Sequence, residues 1–144
     1  MSMVNPANSA NAGNLAGSGI AVLVVEDNAV LLKVAVTNLR RLGVEVDTAK
    51  NGREAVVRFL AKEYSLVLMD VMMPEMDGHE ATRRIRAVER QTGRRVPIIA
   101  VTASDSKDRC LMSGMDDYID KPADYQRILE KWLPDFQISK RTSA

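Results

Sequence analysis

The stretch VLMDVMMPEMDG, from Val67 to Gly78, places a carboxylate directly after an uninterrupted apolar run. A short run without a polar face is typical of a strand that is buried on both sides of a parallel sheet. A carboxylate at the end of such a strand, here Asp70, costs free energy unless a cation or hydrogen-bond donors lie opposite it. We therefore expect Asp70 to belong to a polar site where this strand ends.

Short apolar runs alternate with amphipathic segments from Ile20 onward, and five such pairs follow one another. Segments of this length between buried strands indicate right-handed crossovers and a parallel sheet. The predicted fold class is α/β, with a doubly wound five-stranded parallel sheet and five helices. The predicted strands are IAVLVV, VEVDT, LVLM, PIIAV and DDYI, and the predicted helices span 29–42, 53–62, 78–89, 105–113 and 124–133.

The length of 144 residues indicates one domain. Residues 1–19 are mostly Asn, Ala, Gly and Ser, which cannot offset the entropy cost of ordering, so they are predicted to form a flexible leader or linker. The folded domain is predicted to span residues 20–133. Residues 134–144 are predicted to be a C-terminal tail that is polar after Phe136.

The charge balance gives no electrostatic case for a nucleic acid or a membrane surface as the partner. Lys and Arg number 20 against 19 Asp and Glu, so the formal net charge is +1. No apolar run approaches the ~20 residues that span a bilayer, and we expect no membrane insertion. Cys110 is the only cysteine and cannot form an internal disulfide, which suits a reducing compartment. The predicted location is the cytoplasm.

Helix boundaries are marked by residues with specific backbone roles. Asn28 is placed to cap the first helix, and Asn51 with Gly52 to form a turn before the second. Gly43 and Gly114 are placed to end the first and fourth helices. Apolar residues at helical spacing predict the core faces of the first and third helices. These residues are Leu31, Val34, Ala35 and Leu42 in the first helix and Ala81, Ile85 and Val88 in the third.

Polar residues follow four of the predicted strands, at the edge of an open parallel sheet where chemical groups collect. Glu26 and Asp27 follow the first strand, Asp70 the third, Thr102 the fourth and Lys121 the fifth. Three neighbouring carboxylates repel one another unless a cation is bound, and oxygen ligands without His or Cys favour a hard ion such as Mg²⁺. The ammonium of Lys121 and the hydroxyl of Thr102 suit the oxygens of a phosphoryl group on Asp70.

Four motifs in this order resemble the receiver domain of two-component response regulators. They are ED after the first strand, MDVMMPEMDG after the third, VTA after the fourth and DYIDKP after the fifth. The resemblance covers roughly residues 20–133 and implies a flavodoxin-like sheet with the strand order 2-1-3-4-5. The motifs VEDN and GMDDYIDKP are most similar to those of receivers that are attached to hybrid histidine kinases or work beside them.

The resemblance also implies a role for each site residue. Asp70 is the implied phosphoacceptor, Asp27 and Asp70 bind Mg²⁺ directly, Glu26 supports the ion through water, and the backbone carbonyl of Met72 completes the protein ligands. The implied contacts of the phosphoryl oxygens are Thr102 and Lys121. Tyr118 matches the aromatic residue that changes rotamer when Thr102 moves toward the phosphate.

The implied function is that of a phosphoacceptor in a two-component phosphorelay. The phosphoryl group comes from a phosphohistidine of a histidine kinase or histidine phosphotransfer protein, and the domain catalyses only its own phosphorylation and dephosphorylation. The alternative is a degenerate receiver that acts as an unphosphorylated docking module. A flavin-binding protein is disfavoured because EDNA places negative charge at the first helix N-terminus. A phosphohydrolase is disfavoured because Met72 stands where a second acid is needed.

Three further features of the sequence are expected to have no chemical role. His79 lacks the helical-bundle context of a phosphodonor histidine and is expected on the surface. Cys110 is expected to be a small residue inside the fourth helix. The arginines of the third helix and its following loop are expected to form a solvated face, with docking of an acidic partner as the alternative. These arginines are Arg83, Arg84, Arg86, Arg90, Arg94 and Arg95.

The fourth helix is predicted to be truncated. The segment from Thr102 to Gly114 is ~3 residues shorter than expected for a receiver, which is about one helical turn. Many receivers pair through the face formed by this helix, the fifth strand and the fifth helix. Because this face is predicted to be incomplete, we expect a monomer in both the phosphorylated and unphosphorylated states.

Overall fold

Five strands and five helices alternate along the residues described by this computed structural model, which are 19–73, 76–103 and 105–136. The strands are β1 (Ala21–Val25), β2 (Glu45–Ala49), β3 (Leu66–Met69), β4 (Ile98–Thr102) and β5 (Asp117–Asp120). The helices are α1 (Ala29–Arg41), α2 (Gly52–Ala61), α3 (Gly78–Thr92), α4 (Lys107–Met112) and α5 (Tyr125–Trp132). The leader prediction for residues 1–18 and the tail prediction for residues 137–144 lie outside the described residues.

All strand pairs are parallel, and the strand order is β2-β1-β3-β4-β5, as predicted. The register aligns Val25 with Met69 and Met69 with Ala100, so the central strands end at nearly the same level. The direction of winding reverses between β1 and β3. A crevice outside the carboxyl ends of these strands is where open α/β sheets bind their ligands.

The sheet separates two apolar cores because successive side chains of a strand point to opposite faces. Leu23, Val67 and Ile98 pack with residues of α2, α3 and α4 on one face. Val24 and Leu68 pack with residues of α1 and α5 on the other. β1, β3 and β4 are therefore buried throughout, which explains their unbroken apolar sequences.

The predicted core face of α1 is wrong in part. Ala35 is buried as predicted, but Leu31 is 41% exposed and Val34 is 48% exposed. Leu39 supplies the second fully buried contact of the helix, one turn after Ala35. The sequence AVLLKVAV carries more apolar residues than one helical face can bury, so periodicity alone does not select the buried face.

The predicted helix boundaries lie within three residues of those observed: α3 continues to Thr92 instead of ending at 89, and Gly52, predicted to belong to a turn, is the first residue of α2. The Asn28 side chain accepts hydrogen bonds from two backbone N–H groups of the first turn of α1, and the Asn51 side chain accepts one at the start of α2. Gly43 and Gly114 have φ values of 90° and 110°, and they follow α1 and α4 in the left-handed region that favours glycine. α4 has only six residues, as expected from the short fourth segment.

The predicted solvated arginine face includes one buried residue, Arg86, and the expectation is wrong there. Its guanidinium donates to the backbone oxygens of Gly114 and Val96 and to the carboxylates of Glu89 and Asp116. Five N–H donors in a planar fork allow one arginine to satisfy all these acceptors while buried. Arg86 thereby fastens α3 to the segments that precede β4 and β5.

The prediction of a surface position for His79 is also wrong. His79 is 6% exposed, and both ring nitrogens have hydrogen-bond partners, Ser113 and Asp105. Both ring nitrogens therefore face polar groups of the protein instead of water. Cys110 is buried in α4, as expected. None of the described helices combines the length and apolar character needed to cross a membrane.

Candidate functional site

The polar residues predicted at the strand ends meet at one edge of the sheet. Backbone hydrogen bonds extend the sheet pattern beyond the strands: Glu26 N–H donates to Ala49 O at 3.0 Å, and Asp70 N–H donates to Val25 O at 2.9 Å. Lys121 N–H donates to Thr102 O at 3.1 Å. These bonds determine where each side chain leaves the main chain, and they hold the site at the crevice between β1 and β3.

Three carboxylates form the acidic centre of the site. Glu26, Asp27 and Asp70 each place one oxygen within 4.8 Å of the others. Glu26 and Asp70 are buried, whereas Asp27 is exposed and leaves the centre open on one side. Like charges at this spacing destabilise one another unless a cation lies between them. The donor set contains only oxygen, so it fits a hard divalent ion such as Mg²⁺.

Lys121 supplies a positive charge from the end of β5. Its ammonium nitrogen lies 2.6 Å from Glu26 Oε1 and 3.6 Å from Asp70 Oδ2. Burial by itself would lower the pKa of Lys121, but the hydrogen bond to Glu26 and the charge of Asp70 raise it above its usual value. The lysine therefore stays protonated beside the carboxylates and offsets part of their repulsion.

The Asp70 carboxylate is held in an unfavourable environment for its charge. Burial and the neighbouring charge of Glu26 raise the pKa of Asp70 to about 6, although Lys121 and the Met72 N–H act in the opposite direction. A divalent cation at the acidic centre would stabilise the ionised form. The site thus contains a buried carboxylate that gains from added positive charge.

Gly78 allows α3 to begin directly against the main chain of Asp70. A Cβ atom at Gly78 would lie 2.4 Å from the Asp70 carbonyl oxygen, closer than any side chain permits. The Gly78 N–H donates to Val71 O at 3.1 Å, which closes the turn.

The other predicted site residues, Met72, Thr102 and Tyr118, differ in how deeply they are buried. The Met72 N–H lies 3.4 Å from Asp70 Oδ1, and the Met72 side chain is exposed. Thr102 is buried at the end of β4. Tyr118 is half-buried on β5, donates its hydroxyl to Asp120 at 2.8 Å, and accepts a hydrogen bond from the backbone N–H of Asp105. Tyr118 therefore contacts the segment that follows Thr102.

An apolar groove beside the acidic centre was not predicted from the sequence. It has a volume of about 440 Å³ and lies between α1 and the segment after β5. Glu26, Asp70 and Lys121 line one end, and Leu31 and Val34 line the α1 side. The surplus of apolar residues in the α1 sequence was the available signal for this groove.

Comparison with known proteins gives a consistent family assignment. The family model described as the response regulator receiver domain matches residues 22–132. The hybrid signal transduction protein dokA of Dictyostelium discoideum is 44% identical over 115 residues, a match that covers 80% of this chain and 7% of dokA. The chain thus corresponds to a small part of that relative.

Solved structures with similar folds include two receiver domains. The receiver domain of the sensor histidine kinase PA1611 of Pseudomonas aeruginosa, with a magnesium ion coordinated in its active-site cleft, matches with a TM-score of 0.73 at 43% identity. That match covers 81% of this chain and 98% of the PA1611 chain. The complex of the Saccharomyces cerevisiae histidine phosphotransfer protein Ypd1 with the receiver domain of Ssk1 matches with a TM-score of 0.72 and 35% identity, covering 81% of this chain and 88% of the other.

The raised pKa of Asp70 predicts that Asp70→Asn stabilises the metal-free domain at pH 7. The folded state holds the Asp70 proton more tightly than the unfolded state, so this contribution to stability is present below pH 3.8 and is lost as the pH rises through about 6. Above that range we expect the variant to be more stable by about 2 kcal/mol in the free energy of unfolding. Urea denaturation in EDTA at several pH values measures the difference.

Asp47→Asn is the matched control, because its carboxylate has the opposite shift. Burial alone would raise the pKa of Asp47, but hydrogen bonds from Tyr64 and Lys62 hold it below the usual value. Its contribution to stability is therefore present at neutral pH and lost as the pH falls, so this variant should be destabilised at pH 7. Equal destabilisation by both substitutions would contradict our assignment for Asp70.

Proposed function

Because the chain belongs to the response regulator receiver domain family, we propose that it accepts a phosphoryl group on Asp70 as a step of a phosphorelay. The observation that carries the proposal is the arrangement around Asp70: a buried carboxylate with Lys121 Nζ at 3.6 Å and two further carboxylates within 4.8 Å. An anionic nucleophile with an ammonium and an oxygen-only cation site beside it suits transfer of a phosphoryl group.

In the proposed reaction, an Asp70 carboxylate oxygen attacks the phosphorus of a phosphohistidine. The bond from phosphorus to the donor nitrogen breaks, its electron pair returns to the imidazole, and an acyl phosphate forms on Asp70. Mg²⁺ held by Asp27, Asp70 and the Met72 backbone carbonyl, with Glu26 in support through water, would supply positive charge for the transferring oxygens. We propose that the domain catalyses only its own phosphorylation and dephosphorylation.

Lys121 and Thr102 are the proposed contacts of the phosphoryl oxygens. The Lys121 ammonium lies between Glu26 and Asp70, so a new anionic group on Asp70 would compete with Glu26 for it. We propose that Thr102 and Tyr118 then shift between two existing arrangements of the segment after β4. The Tyr118 contact with the Asp105 N–H supports this link, because it joins β5 to that segment.

The proposed donor is a histidine kinase or a histidine phosphotransfer protein, and the domain binds no nucleic acid directly. The donor imidazole must reach Asp70, so the donor must cover the edge of the sheet that carries the acidic centre. Two exposed apolar residues of α1, Leu31 and Val34, line the groove beside that edge. Exposed apolar surface of this kind is typical of protein interfaces. The cytoplasmic location stays a prediction.

Phosphorylation of purified protein tests the proposal. With Mg²⁺ and acetyl phosphate we expect the intact mass to rise by one phosphoryl group, because acetyl phosphate supplies the same group without a protein donor. EDTA and Asp70→Asn should each abolish the increase, whereas Asp47→Asn should retain it. An unchanged mass under saturating donor and Mg²⁺ would favour the degenerate receiver that serves as a docking module.

Lys121→Ala separates metal binding from the response to phosphorylation. Removing the ammonium takes a positive charge from the acidic centre, so Mg²⁺ affinity in calorimetric titration should stay equal or rise. The spectral change that beryllofluoride produces at Tyr118 in the wild-type protein should be lost in Lys121→Ala. Lys131→Ala is the control, because that lysine pairs with Asp117 at 3.0 Å, away from Asp70. A full spectral response in Lys121→Ala would refute the role proposed for Lys121.

Val34→Gln tests the position of the donor protein. We expect it to slow phosphoryl transfer from a histidine phosphotransfer domain by about tenfold, since a polar side chain weakens an apolar interface. The rate at which acetyl phosphate phosphorylates the Val34→Gln variant should change little. Val57→Gln on α2 is the control, because Val57 is also exposed but does not line the groove. Equal slowing by both substitutions would argue against α1 as the docking surface.

We also propose that the domain remains a monomer when phosphorylated. α4 has six residues and leaves Leu111 and Met112 exposed, so it offers a short surface for pairing. Light scattering during size exclusion, with and without beryllofluoride at tens of micromolar protein, should give the mass of one chain in both states. A mass that doubles with beryllofluoride would restore dimerisation as the output mechanism.

A further inference from the structure

A buried polar cluster between α3 and α4 has no role in the proposed phosphoryl chemistry. His79 follows Gly78 at the start of α3, Asp105 precedes α4, Cys110 lies within α4, and Ser113 ends it. His79 Nδ1 lies 2.9 Å from Ser113 Oγ, and His79 Nε2 lies 2.7 Å from Asp105 Oδ2. The side chains of His79 and Asp105 are 7% and 1% exposed, so water does not satisfy them.

The hydrogen-bond pattern brings two lone pairs together. When Ser113 Oγ donates its proton to the Cys110 carbonyl oxygen at 2.9 Å, it accepts from His79 Nδ1–H. With its proton on Nδ1, the neutral imidazole directs the lone pair of Nε2 at the Asp105 carboxylate, which has no proton to give. A positive species between Nε2 and Oδ2, either a proton or a metal ion, would remove the repulsion between these two lone pairs.

A third ligand atom favours a metal ion at this place. Cys110 contributes a sulfur atom, and the ligand atoms of His79, Asp105 and Cys110 all lie within 4.8 Å of one another. Nitrogen, oxygen and sulfur in one site suit Zn²⁺, whereas Mg²⁺ prefers oxygen alone. We propose that His79, Asp105 and Cys110 form a zinc site that is separate from the acidic centre.

Neighbouring groups fit this assignment. Ser113 accepts from Nδ1 and so orients the imidazole with Nε2 toward the ion, the usual role of a partner outside the ligand shell. Arg109 pairs with Asp105 Oδ1 at 3.0 Å and leaves Oδ2 for the metal. Three protein ligands leave one tetrahedral position of the ion open. The ion would join the start of α3 to the segment between β4 and α4.

Zinc binding at this site must displace the thiol proton. Burial and the charge of Asp105 raise the pKa of the Cys110 thiol to about 11. Metal ions compete with protons for thiol and imidazole ligands, so the affinity should rise with pH.

Co²⁺ serves as a visible probe for the zinc site. The test is a titration of reduced, metal-free protein with Co²⁺. Excess Mg²⁺ is present so that the acidic centre is filled with Mg²⁺ and Co²⁺ is left for the proposed zinc site. Because Cys110 is the only cysteine, a thiolate-to-cobalt charge-transfer band in the near ultraviolet reports on this site alone. We expect the band to saturate at one equivalent of Co²⁺, to strengthen with rising pH, and to disappear when Zn²⁺ is added.

Variants assign the ligands. His79→Gln and Cys110→Ser should lose the band, and phosphorylation by acetyl phosphate checks that each variant is folded. Asp108→Asn, which removes an exposed carboxylate from the same helix, should retain the band. The proposal is overturned if the wild-type protein shows no thiolate band at saturating Co²⁺, whatever the variants do. It is also overturned if folded His79→Gln binds Co²⁺ with unchanged affinity and spectrum.

Discussion

The charge balance around Asp70 is the constraint on which the rest of the structure depends. Two buried carboxylates, Glu26 and Asp70, share the single ammonium of Lys121. Burial strengthens both the repulsion between the carboxylates and their attraction to the lysine, so small displacements carry large energies. The spacing is maintained because β1 and β3 are buried on both faces and backbone hydrogen bonds continue past their ends, from Asp70 to Val25.

α3 is anchored both to the main chain of Asp70 and to the segments before β4 and β5. The missing side chain at Gly78 lets α3 approach the Asp70 main chain, and buried Arg86 then ties the same helix to the segments before β4 and β5. Next to Gly78, His79 ties α3 to Asp105, just beyond β4. α3 therefore connects Asp70 to the part of the sheet that carries Thr102, through polar contacts that have defined geometry.

The two sides of the acidic centre differ in chemistry. On the α1 side, exposed Leu31 and Val34 line an apolar groove that suits a protein partner. On the α4 side, His79 and Asp105 form a buried polar contact that suits a proton or a metal ion. A partner and an ion can thus act on the same edge of the sheet through separate groups.

The sequence by itself determined the α/β class, the strand order through the family resemblance, and the strand ends at which Glu26, Asp70 and Lys121 meet. It could do so because unbroken apolar runs that alternate with amphipathic segments mark buried strands and crossover helices in the local sequence. The positions of Leu31, His79 and Arg86 were decided only by the tertiary structure. The burial of His79 and Arg86 depends on partners distant in sequence, Ser113 for His79 and Asp116 for Arg86, and no local pattern encodes those contacts.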